Sequence, residues 1–173
     1  TRLYLGVHTP ADVLVGSAIP LFFIVVLRPA IYHADGKHIP KLLAAMVLLC
    51  AAFVGYMEYF PFPSNVDGDN LHSALKNSYT LLGALLGMIV VFKVDEKRNF
   101  DTGAVWYAQV LKTALGLALA LAVKEGLKLP LESLFGGHMV ARAIRYALLV
   151  MFAGILWPMT FPFFQRLGRK GEA

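Results

Sequence analysis

Apolar positions along this chain gather into long runs and do not alternate. A bilayer-crossing helix needs about 20 mostly apolar residues. Five stretches meet that need, from about Ala11 to Ile31, Lys41 to Phe60, Leu71 to Phe92, Gly103 to Val123 and Val140 to Phe161. No strand-like alternation competes with them, so the pattern predicts an all-α, polytopic transmembrane helical bundle. The residues between the runs agree. Pro40 opens the second run at a favoured early helical position, and Pro61 and Pro63 close it. Residues 64–70 are turn-rich, and Asp69 or Asn70 is placed to cap the third helix. Pro20 and Pro158 lie inside runs and predict kinks. Gly83 and Gly87 form a G-x-x-x-G that permits close helix contact.

Composition narrows the class. Of 173 residues, 58% are apolar and only 16% are charged, against about 25% charged in a soluble domain. This excludes a disordered chain, a collagen-like chain and an ordinary soluble enzyme, and a single cysteine, Cys50, excludes a disulfide scaffold. The net charge is +5, but the basic residues sit mostly between apolar runs, as loop charges on a membrane protein do. No nucleic-acid partner is expected. There is no Cys/His metal spacing and no glycine-rich phosphate loop, so neither a metal nor a cofactor is expected.

Lys and Arg in the loops set a sidedness. The first loop carries Arg28, Lys37 and Lys41, the second none, the third Lys93, Lys97 and Arg98, the fourth Lys124 and Lys128, and the tail Arg166, Arg169 and Lys170. That pattern places loops one and three and the tail in the cytoplasm, and the N-terminus outside. Trp106, Tyr107 and Trp157 then form an inner aromatic belt.

The richest chemistry stands at the N-terminus, in Thr1-Arg2-Leu3-Tyr4-Leu5-Gly6-Val7-His8-Thr9-Pro10-Ala11-Asp12. Thr9 is a good N-cap, Pro10 suits the first helical position, and Asp12 falls at the third, where a carboxylate can close a capping box. His8 and Asp12 are four apart across the helix start, close enough for their side chains to meet. A helix N-terminus offers free N–H groups to an anion, and an arginine grips phosphate oxygens in pairs. An Asp that fixes one imidazole nitrogen exposes the other as a nucleophile or base. On spacing alone, capping by Asp12 and juxtamembrane placement of Arg2 and His8 explain the stretch equally well.

The stretch resembles the third signature of the type-2 phosphatidic acid phosphatase family: Ser-Arg, five residues, His, three residues, Asp. Here it reads Thr1-Arg2, His8 and Asp12, with Thr1 in the Ser position, and the run Tyr4 to Gly16 is similar to bacterial members. The resemblance implies a membrane lipid phosphatase. His8 would be the nucleophile that forms a phosphohistidine, Asp12 would orient it, and Arg2 and Thr1 would bind the phosphoryl group. Substrates would be lipid phosphates such as phosphatidic acid, phosphatidylglycerol phosphate or a polyprenyl diphosphate. They would be met on the extracytoplasmic side of a bacterial plasma (inner) membrane. The family's two earlier signatures are not present: Arg28-Pro29 lacks its upstream Lys, and Gly137-His138 follows Phe135-Gly136 instead of Pro-Ser. Residues 1–36 therefore read as the end of a catalytic domain, and residues 37–173 as a four-span extension. The sequence is expected to be an N-terminally truncated and catalytically incomplete chain. Two other readings stay open, a non-enzymatic transporter-like or scaffold protein and a relative of the vanadium haloperoxidases. The residues do not fix an oligomeric state.

Within the extension, ionisable residues at membrane depth mark candidate sites. Lys112 lies near the middle of the fourth span, one turn after Gln109, and a lysine there costs about 2.5–3.5 kcal/mol on insertion scales. Lys76, Arg142 and Arg145 lie toward the outer ends of the third and fifth spans. They are candidate contacts for an anionic lipid head group. The alternative is snorkelling, or pairing with Glu58, Glu125 or Asp69.

Overall fold

The computed structural model describes residues 9–32, 37–98 and 100–169. Every regular element among them is helical. Helix α1 is Pro10–Tyr32, α2 Ile39–Tyr59, α3 Gly68–Arg98, α4 Trp106–Gly126, α5 Lys128–Leu134 and α6 Met139–Met151. A π-helical turn, Phe152–Leu156, and a 3-10 turn, Pro158–Thr160, carry α6 into α7, Phe161–Arg169. Five segments are long and apolar enough to cross a membrane: Pro10–Pro29, Ile39–Tyr59, Gly68–Arg98, Trp106–Leu134 and Met139–Leu167. The all-α, five-span reading is what the protein adopts.

The chain divides into two units, Thr1–Ala44 and Ala45–Ala173. In the first, α1 continues through Pro20 and Pro29 and leaves Leu14, Phe22 and Val25 exposed. Apolar side chains on all sides suit a helix surrounded by lipid or by other helices.

The second unit is built on the pair α3 and α6. A Cβ added to Gly83 would collide with the backbone carbonyl of Ala143, and one added to Gly87 would stand 2.7 Å from the carbonyl oxygen of Ala147. The two backbones touch along this glycine stripe, as the G-x-x-x-G spacing predicts. Contacts advance in the same direction on both helices, Thr80 with Arg142, Gly83 with Ala143 and Gly87 with Ala147. The third and fifth spans are therefore parallel, and α4 is the return crossing between them.

Helix α4 runs antiparallel to the last segment. The Tyr107 hydroxyl donates to the carbonyl of Leu167 at 3.3 Å, Lys112 Nζ lies 4.2 Å from the Phe161 ring centroid, and Gly116 receives the Trp157 indole. The π turn sets this register. Trp157 N–H donates to the carbonyl of Phe152 at 2.8 Å, five residues back. Pro158 follows, which has no N–H and would crowd the carbonyl four residues before it in a regular helix. Trp157 is thereby packed on Gly116 and beside Phe164, with ring centroids 5.7 Å apart. Trp157 is half-buried there, whereas Trp106 is 78% exposed and Tyr107 is also exposed.

Two boundaries differ from expectation. Helix α3 starts at Gly68, and the capping residue is Asp67, not Asp69 or Asn70. Its carboxylate accepts from Asp69 N–H at 2.9 Å and from the Asn70 side-chain amide at 2.9 Å. Its earlier place in the turn lets it reach both donors. The stretch after α4 is not an open loop but holds α5, which stops at two glycines with positive φ, Gly136 at 57° and Gly137 at 78°. Gly137 N–H closes the helix end on the carbonyl of Glu132 at 2.8 Å.

Lys112 is buried, with 6% of its surface exposed. Its ammonium donates to the carbonyl of Thr102 at 2.9 Å, and Gln109 donates to the same carbonyl at 2.8 Å. The Phe161 ring face takes the remaining charge. Lys112 thus fastens the 101–105 segment to α4. Lys112→Met keeps the volume and removes a charge-assisted hydrogen bond worth about 1.5–3 kcal/mol. Amide exchange at Gly103 and Ala104 should then quicken by roughly tenfold or more. Unchanged exchange there contradicts the role.

Candidate functional site

At the start of α1, Thr9 and Asp12 satisfy each other. Thr9 N–H donates to Asp12 Oδ2 at 2.7 Å, and Asp12 N–H points back to Thr9 Oγ1 at 3.2 Å. This is the reciprocal capping box that the sequence predicts, with Asp12 in the glutamate position. The amide held by the carboxylate is the one that follows position 8 in the chain, so Asp12 fixes the backbone next to His8. The helix dipole favours its negative charge there. His8, Arg2 and Thr1 lie outside the described residues.

A second polar locus lies where the first turns of α3 meet α5 and the start of α6. A cavity of about 290 Å³ is lined by His72 and Lys76 of α3, Glu132 of α5, and His138 and Arg142 at the start of α6. Arg142 is held by its Nε, which donates to Thr80 Oγ1 at 2.8 Å, while that hydroxyl donates to the carbonyl of Lys76 at 2.8 Å. The two terminal nitrogens of the guanidinium have no hydrogen-bond partner among the described residues. His138 caps α6 by accepting Val140 N–H at its Nδ1, 3.2 Å away. Its Nε2 therefore carries the proton and is a donor.

Arg145 is placed differently from the other two candidates. It is 6% exposed, does not line this cavity, and approaches Glu132 at 3.9 Å. Its Nε has no hydrogen-bond partner among the described residues. Two of the three expected partners for the basic residues are otherwise engaged: Glu58 accepts from the Tyr79 hydroxyl at 3.0 Å, and Glu125 lies 3.2 Å from Lys124. Sequence reasoning did not include Glu132 or His72 in the site. Glu132 belonged to a stretch read as loop. His72 stands four residues before Lys76, the same spacing that links His138 to Arg142, and that repeat was the available signal.

Among the described residues no group of His, Cys, Asp and Glu is arranged to hold a metal ion. Cys50 is buried in α2, its Sγ 3.6 Å from the carbonyl of Ser78.

No curated protein and no solved structure matches the chain. A family model described as the transmembrane extension of PAP2 superfamily phosphatases matches residues 79–170. That match takes in α4 to α7 and most of α3, including the glycine stripe, Lys112 and Arg142. With more than half of its length so matched, the chain belongs to the PAP2 superfamily of membrane phosphatases and carries their transmembrane extension.

Proposed function

We propose that the chain serves a phosphatase that removes phosphate from lipid phosphomonoesters or pyrophosphates at the extracytoplasmic face of a bacterial plasma membrane. His8 attacks phosphorus through one imidazole nitrogen and the phosphoryl–oxygen bond to the leaving group breaks. Water then hydrolyses the phosphohistidine and frees phosphate. Asp12 orients the imidazole, and Arg2 with Thr1 holds the phosphoryl oxygens. The observation that carries this reading is the Thr1-Arg2…His8…Asp12 signature on a chain whose remaining spans match the family's extension. The capping box supports it by anchoring Asp12 beside position 8. Basic charge supports the sidedness, since Arg28 lies in the last part of α1 and Lys37 and Lys41 follow that end.

The test uses the full-length protein in proteoliposomes with phosphatidic acid and a polyprenyl diphosphate. Phosphate release is expected from at least one of them. Rapid quenching with labelled substrate is expected to trap an acid-labile, base-stable phosphoprotein. Release without any such adduct overturns the covalent mechanism, and no release from either lipid overturns the substrate class.

A further inference from the structure

We propose that the cavity between α3, α5 and α6 binds a phosphate group, through Arg142 and Lys76 together with the Nε2–H of His138. The inference stands apart from the chemistry at His8, because it uses other residues in the second unit. Its basis is the charge left over around the cavity. Three full charges line it, Lys76, Arg142 and Glu132. Glu132 is matched by Arg145 behind it, at 3.9 Å. Lys76 and Arg142 have no carboxylate within 4.0 Å among the described residues, so the cavity sets two unpaired cations against one carboxylate that already faces Arg145. Snorkelling would carry them outward to water. Arg142 instead is turned inward and locked by Thr80.

The donors suit a tetrahedral oxyanion. Arg142 presents two terminal nitrogens, Lys76 a mobile ammonium, and His138 an N–H whose direction is fixed by its cap on Val140. The space is also more than one ion needs. A second cavity, of about 410 Å³, shares His138 and is lined by Ala51, Val54 and Leu82 of the α2 and α3 spans, with the hydrogen-bonded pair Tyr79 and Glu58 also on its wall. A phosphate in the first cavity can therefore belong to a lipid whose glycerol or acyl part lies along the second. A free phosphate ion would fill the first alone.

Isothermal titration of the purified full-length protein separates these sources. The probes are dihexanoyl phosphatidylglycerol, its zwitterionic phosphatidylcholine analogue, and inorganic phosphate. Phosphatidylglycerol is a phosphodiester, so phosphomonoester hydrolysis does not consume it. Arg142→Gln and Lys76→Gln should each weaken binding of the anionic probe about tenfold. Lys124→Gln, on a half-buried lysine outside this cavity that is paired with Glu125, should leave it unchanged. Binding of phosphatidylglycerol over phosphatidylcholine, lost in both Gln variants, supports the site with a lipid source. A phosphate-binding component lost in the same two variants supports it with the free ion. Two variants that fold, by circular dichroism, and still bind all probes as the parent does overturn the proposal. So does a parent protein that binds neither anion.

Discussion

In the full-length protein, His8→Ala is expected to lower lipid-phosphate turnover by more than about 10⁴-fold, the scale seen when a covalent nucleophile is removed. The sharper comparison is at Asp12, which the structure ties to the helix cap. Two roles are in competition there, holding Thr9 N–H and orienting His8. Asn at position 12 still presents a carbonyl oxygen to Thr9 N–H but loses the charge that stabilises an imidazolium. Asp12→Asn should therefore leave the start of α1 largely intact and still cost on the order of 10³–10⁴-fold in turnover. Thr9→Ala is the converse variant. It removes the Oγ1 that faces Asp12 N–H, costs about 1 kcal/mol of helix stability, and should leave turnover within a few-fold of the parent. Phosphate release and thermal unfolding, measured on the same preparations, check both. If Asp12→Asn and Thr9→Ala lose turnover equally, Asp12 is a capping residue and the assignment of its catalytic role fails.

The second large effect is expected at the glycine stripe. Gly83→Leu places a branched side chain where even a single carbon meets the backbone of Ala143. Rigid backbone, unlike the tip of a flexible side chain, cannot give way, so α3 and α6 must separate. Overpacking of a close interface costs typically 1–3 kcal/mol and more when backbone must move. The loss would also carry away the Thr80–Arg142 hydrogen bond one turn above. The expected result is a fall in thermal stability of the purified protein with poor recovery from membranes. Gly55→Leu is the control, because nothing lies within 4 Å of a Cβ built on Gly55, and it should be near neutral. Equal stability of the two variants contradicts a close-packed α3–α6 pair.

How far the sequence speaks depends on how local each device is. The cap at Thr9 and Asp12 was legible because both partners lie within one helical turn and capping chemistry admits few residue types. The glycine spacing at Gly83 and Gly87 was legible because small residues in apolar runs have few other uses, although the spacing did not name α6 as the partner. Lys112 was legible as costly and not as solved. Its acceptor is a backbone carbonyl, at Thr102, which no side-chain pattern advertises. The same limit applies to Trp157. An aromatic near a span end reads as an interface anchor, and only the register imposed by the π turn aims it at Gly116. At the polar cavity, Lys76 and Arg142 were visible as ionisable residues at depth. Glu132, the group that explains Arg145, was hidden because a seven-residue helix with a proline at its third position looks like loop. For the phosphatase signature, residue type and spacing carried the whole reading, since Thr1, Arg2 and His8 lie outside the described residues.

The parallel pairing of α3 and α6 has a consequence for the order in which the protein is made. Thr80 and Arg142 are 62 residues apart, and α4 with α5 must be laid down before they can meet. At about 5–20 residues per second, the ribosome needs several seconds to supply the missing partner. Throughout that interval the bare glycine face of α3 and the ammonium of Lys76 wait without their final neighbours. The span that carries α6, and not an earlier one, then closes the interface that holds the second unit together. Shortening the message downstream of α5 should therefore leave α3 inserted but unassembled, and open to the membrane's quality-control proteases.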